Sequence, residues 1–184
     1  MAGKTHIATA PAATSPPPRG AGSLREIIMG AQDNLTNVLA VVLGVAIGSG
    51  DVSTVALAGM AAGVAEAISM GGVLYTATRA ERDLARSHGA PFSKRPARAA
   101  LTTFVAAFVA ALIPLAPFAF LAIRWAMATA AGLSLAALFA IGAWTGGITR
   151  EAWWRGGVRF VAIGGVAALA SALVGVVLKT NGAV

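Results

Sequence analysis

Long apolar runs alternate with short polar breaks along this chain, and the runs share a length that suits a bilayer. A hydrocarbon core about 30 Å thick needs about 20 consecutive apolar residues as one helix. Five such runs are present, at about Arg25–Gly48, Ser53–Thr78, Ala99–Ile123, Trp125–Trp144 and Gly157–Leu178. Glycine, alanine and serine recur in them at three- and four-residue steps, a spacing that lets helix backbones approach closely. The pattern predicts an all-α polytopic membrane protein: one five-helix domain at 25–179, preceded by a disordered tail at 1–24. Pro16-Pro17-Pro18 forbids a helix in that tail, and no continuous apolar signal-peptide core is present there.

The breaks carry their own information. Ser49-Gly50-Asp51 predicts a tight turn. The second run continues as a charged helical extension into water, Thr76 to Asp83, which Gly89-Ala90-Pro91 ends. In the third run Pro114 and Pro117 interrupt the hydrogen-bond ladder, so that span should kink or end irregularly. The fifth run is rich in Gly and Ala, and no internal repeat is visible.

Composition narrows the chemistry. The chain has 184 residues, 57% hydrophobic and 11% charged, with no cysteine and two histidines. His6 and His88 lie outside the apolar runs, so disulfides, thiolate sites and an intramembrane histidine metal site are excluded. The net charge of +7 comes from residues flanking the spans, not from one patch, and reads as topology control instead of nucleic-acid binding. With the amino terminus in the cytoplasm, Lys4, Arg19, Arg25, the Arg79–Arg98 loop, Arg150, Arg155 and Arg159 fall inside, and Arg124 and Lys179 outside. Trp125 on one side, and Trp144, Trp153 and Trp154 on the other, fit interfacial belts. Ala- and Arg-rich usage without a targeting segment points to a bacterial inner membrane. No nucleophile–base set or phosphate loop appears, so no enzyme is expected.

The candidate site lies in the first two runs. Glu66 sits near the middle of the second, where an acid costs about 2.5–3.5 kcal/mol to insert and is a functional candidate by default. Met70 follows at i+4 on the same face, and Gly59 and Gly63 continue that face as a groove for close packing. In the first run Gly30, Asp33, Asn37, Ala40, Gly44 and Gly48 form a row that is polar at the Arg25 end and small beyond it. A structural alternative makes Asp33 the cap of a helix beginning near Leu35, but about 14 residues would then remain, short for a span. Asp33 and Glu66 supply carboxylates, Asn37, Thr36 and Ser69 neutral oxygens, and Met70 a thioether. Hard oxygens with one soft sulfur fit Fe2+ or Mn2+ best. Desolvation favours the protonated acid and a bound cation the carboxylate, so proton and metal would compete for one site, the minimum an antiporter needs. Bland alternatives stand beside these: Glu66 pairing helices, Met70 packing, Ser69 bonding back to its own helix. Glu81 and Asp83 would then be a solvated helix end balanced by Arg79 and Arg82.

These residues resemble the vacuolar iron transporter family. The likeness rests on Arg25-Glu26-Ile27-Ile28-Met29-Gly30 leading to Asp33-Asn34-Leu35-Thr36, and on Ala67-Ile68-Ser69-Met70-Gly71 with Tyr75. Arg79, Glu81-Arg82-Asp83 and the Pro114–Pro117 pair add to it. The resemblance implies five spans, a homodimer, and export of Fe2+ or Mn2+ from the cytoplasm in exchange for protons along the first two spans. Asp33 matches the family's first-span acid and Met70 its second-span methionine. The expected partners are a divalent metal ion as transported substrate, protons, membrane lipid and a second copy, with no resident cofactor. The chain departs from the family in three ways. Its loop between the second and third spans is short and basic, without a cytoplasmic metal-binding insertion. Leu74 stands where many members carry glutamate, and Glu66 where a small residue is expected. The rival readings are a non-transporting membrane scaffold and a transporter of another solute on the same architecture.

Overall fold

The structure is a computed structural model and describes residues 21–180. Five helices follow one another: α1 Ala21–Ser49, α2 Val52–Ser87, α3 Pro96–Leu115, α4 Ile123–Ile148 and α5 Trp153–Thr180, with a 3-10 turn at Ala116–Ala119 between α3 and α4. Each of the five is long and apolar enough to cross a membrane. The chain is therefore an all-α, multi-pass integral membrane protein.

The element bounds refine the expectations. α1 begins at Ala21, ahead of the expected tail boundary, while residues 1–20 lie outside the described residues. Since α1 runs unbroken to Ser49, Asp33 is mid-helix and the cap alternative fails. α2 has 36 residues, about 54 Å at 1.5 Å per residue, against a core of about 30 Å. Its last turns therefore stand in water, as the charges from Arg79 onward require. The third span stops well short of Ile123. Pro114 lies in the final turn of α3, the chain then tightens through a 3-10 turn containing Pro117, and Ile123 opens α4 instead.

The connections show why the helices end where they do. Gly50 adopts φ +67°, a left-handed conformation that glycine takes without steric cost. Asp51 then caps α2: its carboxylate accepts from the Thr54 backbone N–H at 2.8 Å and from the Thr54 hydroxyl at 2.7 Å. Those bonds hold the Asp51 carboxyl below its ordinary value. α2 ends in a Schellman motif, with Gly89 N–H donating to Arg86 C=O and Ala90 N–H to Ala85 C=O, and Gly89 at φ +64°. α4 ends with Glu151 N–H donating to Gly146 C=O, but there the left-handed position is Arg150, at φ 60°.

α1 is the central helix and touches all four others. The α2–α3 pair packs on one side of it and α4–α5 on the other. Small residues set the closest approaches. Gly142 and Gly156 bring the α4 and α5 backbones together, and Gly44 meets Ser171 and Gly175 where α5 crosses α1. The Ser171 hydroxyl donates to Ala40 C=O at 2.6 Å across that crossing. Val38, Val42, Val55, Ala111 and Leu115 of α1, α2 and α3 form one core cluster with Phe118 of the 3-10 turn and Ala126 and Ala130 of α4. All four tryptophans are exposed near helix ends, as interfacial anchors would be.

Candidate functional site

α1 and α2 cross through a seam of small residues on α2: Gly59 lies against Val42 and Leu115, and Gly63 against Val38 and Ala111. Val55, Gly59, Gly63, Ala67 and Gly71 are all buried, in a row along α2. The row packs into the groove between α1 and α3, with Gly71 against Ala100 and Phe104 of α3, and it seats α2 close enough to α1 for polar side chains at its edge to meet. Glu66 and Met70 lie half-buried on the margin of the row, not in its centre. The glycines therefore hold the seam, and the acid occupies its edge.

At that edge the expected residues come together in part. The Asn34 bond to Gly63 C=O sets the turn of α1 that carries Asp33 and Asn37 beside the turn of α2 that carries Glu66, so the Glu66 carboxyl neighbours the Asp33 carboxyl and the Asn37 side chain across the α1–α2 contact. Asp33 and Asn37 are exposed on the outer side of α1, one turn apart. Two carboxyls and an amide thus neighbour one another within apolar spans, where charged groups are rarely placed without a role. Met70 is one turn from Glu66 on the same side of α2.

Other expected residues lie elsewhere. Thr36 is buried on the flank of α1 that meets α5, its hydroxyl near Gly164 and without a hydrogen-bond partner. Thr36 lies about 60° around the helix from Asp33 and about 100° from Asn37, enough to turn it from the exposed edge onto the neighbouring buried flank. Ser69 is exposed, and its expected bond back to its own helix is not formed; Thr76 makes that kind of bond instead, to Gly72 and Val73 carbonyls. Glu81 stands in the overhang and pairs with Lys94 at 3.6 Å, while Asp83 pairs with Arg79 and Arg82. That is the solvated helix end, far along α2 from Glu66. Gly44 packs on α5, well beyond the polar end of the α1 row.

Two residues that the hydrophobic pattern passes over are prominent in the structure. Asn34 is fully buried. Its Nδ2 donates to Gly63 C=O on α2 at 3.0 Å and to Ala107 C=O on α3 at 2.9 Å, so one side chain ties three helices. Glu26 is 8% exposed, with no ion pair among the described residues, and its backbone carbonyl accepts from the Thr103 hydroxyl at 3.4 Å. The available signal for Glu26 was its seven-residue separation from Asp33, two helical turns on nearly one face. No group of three or more His, Cys, Asp or Glu suited to a metal occurs among the described residues. A cation held at this edge would need the amide, the thioether, water or a second chain to complete its shell, since hard divalent ions take about six ligands.

Comparison with known proteins bears on what such an edge does. The model of the VIT family matches residues 24–91 and 86–176, almost the whole helical domain. The chain belongs to the VIT family. The two matched segments meet in the α2–α3 connection, where this VIT protein has only a short basic loop. It is also similar to an uncharacterized protein of Methanocaldococcus jannaschii, 28% identical over 160 residues, covering 78% of this chain and 83% of that relative. Family membership suggests a metal-transporter-like membrane protein, and transporters of this family are not enzymes.

Proposed function

We propose that this VIT protein is a homodimeric antiporter that exports a divalent transition metal, Fe2+ or Mn2+, from the cytoplasm in exchange for protons. The observation that carries this reading is that the Asn34 bond to Gly63 C=O sets the turn of α1 bearing Asp33 and Asn37 beside the turn of α2 bearing Glu66, inside two apolar spans. Asp33 and Glu66 are the acids that metal and proton contend for, Asn37 adds a neutral oxygen, and Met70 the thioether that biases the site from Mg2+ or Ca2+ toward softer ions. Metal entering from the cytoplasm displaces a proton shared by the two carboxyls; proton entering from the other side displaces the metal. A divalent cation held between the two carboxyls would offset their mutual repulsion, which is stronger in a low dielectric than in water. The exposure of Asp33 and Asn37 supports the dimer, because polar side chains at bilayer depth face a bundle interior or a water-filled cavity and not lipid. A second copy placed over this edge would cover them and complete the ligand shell.

The bundle order collects Arg25, the Arg79–Arg98 segment, Arg150, Arg155 and Arg159 at one end. That end is the cytoplasmic one under the positive-inside rule, in a bacterial inner membrane, with the amino terminus inside and the carboxyl terminus outside.

Purified protein in liposomes with an imposed pH gradient tests the proposal. Gradient-driven Fe2+ or Mn2+ flux is expected for wild type and is lost in both Asp33→Ala and Glu66→Ala. Loss only in Asp33→Ala would make Glu66 a structural acid. A well-folded wild type that moves neither ion would refute metal transport and leave a scaffold or another solute.

A further inference from the structure

We infer that Asn34 is the positioning residue of the α1–α2 edge: it sets the register at which Glu66 meets Asp33, and through it the fit of the site for its ion. The inference deepens the proposed function and rests on it for the ion, though not for the register. Asn34 is adjacent in sequence to Asp33, and Gly63, whose carbonyl it holds, is three residues before Glu66. One side chain therefore connects the turn that carries one acid to the turn that carries the other. The second bond, to Ala107 C=O, fastens the same point to α3, so α1 cannot slide along α2 without breaking both.

The surroundings specify little else. The rest of the α1–α2 seam is glycine, alanine and valine, smooth surfaces that would pack nearly as well one turn higher or lower. A smooth seam leaves register weakly determined, and a buried polar residue with a defined partner is the usual device that selects one register. Asn34 also keeps an unmet need: its Oδ1 is buried with no hydrogen-bond partner. A residue present only for stability would be better replaced by leucine, which has the same branching and no polar atom to satisfy. Retaining the amide fits a role in register.

Because the chain contains no cysteine, cross-linking can read the register directly. Asn37→Cys with Glu66→Cys reports the α1–α2 edge, and Ala40→Cys with Ser171→Cys reports the α1–α5 crossing as an internal control. Each pair is oxidised in the full-length protein carrying Asn34, Asn34→Leu or Asn34→Ala. The expected result is an α1–α2 cross-linking rate lower by at least about tenfold in both variants, since about 1 Å of misplacement can cost up to about a hundredfold in a proximity-dependent rate, with the α1–α5 rate unchanged. In liposomes the same substitutions on the cysteine-free chain should raise the KM for Mn2+ more than they lower maximal flux. An unchanged α1–α2 rate in either folded variant overturns the inference, as does equal slowing of both pairs. Were wild type to move no metal, cross-linking would still decide the register, so the two readings fail separately.

Discussion

Replacing Gly30 by alanine tests how tightly α1 is seated on α3. A Cβ at Gly30 would lie 2.6 Å from the Thr103 carbonyl oxygen and 3.1 Å from its methyl, where ordinary contact begins at 3.4 Å. The first obstacle is backbone, so no side chain can rotate away, and the helices must part by about 0.8 Å locally (3.4 less 2.6). Overpacking of this kind costs about 1–3 kcal/mol. Ala107, whose carbonyl receives the Asn34 amide, lies one turn further along the same α3 face. Weakening that bond adds about 0.6 kcal/mol, the average for interhelical hydrogen bonds in a membrane protein. The sum is about 2–4 kcal/mol. Gly72 provides the control, since nothing lies within 4 Å of a Cβ there; alanine should be neutral or stabilise by up to about 1 kcal/mol, because glycine is the more flexible residue in a helix. Reversible unfolding in mixed micelles, titrated with denaturing detergent and followed by circular dichroism, measures both. Equal effects of the two substitutions, or a Gly30→Ala protein as stable as wild type, would refute this account of the α1–α3 contact.

Further outcomes follow from the caps and crossings. Ser171→Ala removes the bond to Ala40 C=O at 2.6 Å and should cost about 0.6–1.7 kcal/mol in the same unfolding assay. Arg150→Gly should stabilise by about 0.5–1 kcal/mol, the relief of a left-handed non-glycine residue less the added freedom of the unfolded chain; a lower melting temperature would show that the Arg150 side chain matters more than its backbone. Asp51→Ala should lower the melting temperature at neutral pH. The folded carboxyl is held below its ordinary value of 3.8 by Thr54, so its contribution is fully present above that value and lost as pH falls through the folded value. The difference between wild type and variant should therefore vanish only in strong acid, and a difference that disappears near pH 6 would contradict the cap.

Five spans, the basic end of the bundle, the turn at Gly50 and the helix stop at Gly89 were legible in the sequence, because each depends on local chemistry: apolar length, charge placement, or a residue tolerant of positive φ. Asp33 and Glu66 stood out for the same reason, as acids in apolar surroundings. What the sequence alone left open was which faces meet. One row on α1 runs from Gly30 to Gly48, yet the structure seats Gly30 on α3 and Gly44 on α5, and leaves Asp33 and Asn37 exposed between them, because neighbouring helices cross α1 at an angle and each covers only part of a face. Thr36 sits three residues from Asp33 and is turned to α5, and Asn34 sits one residue away and becomes the tie to α2 and α3. A rotation of 100° per residue decides such roles, and only the packed bundle supplies the partners that give the rotation meaning.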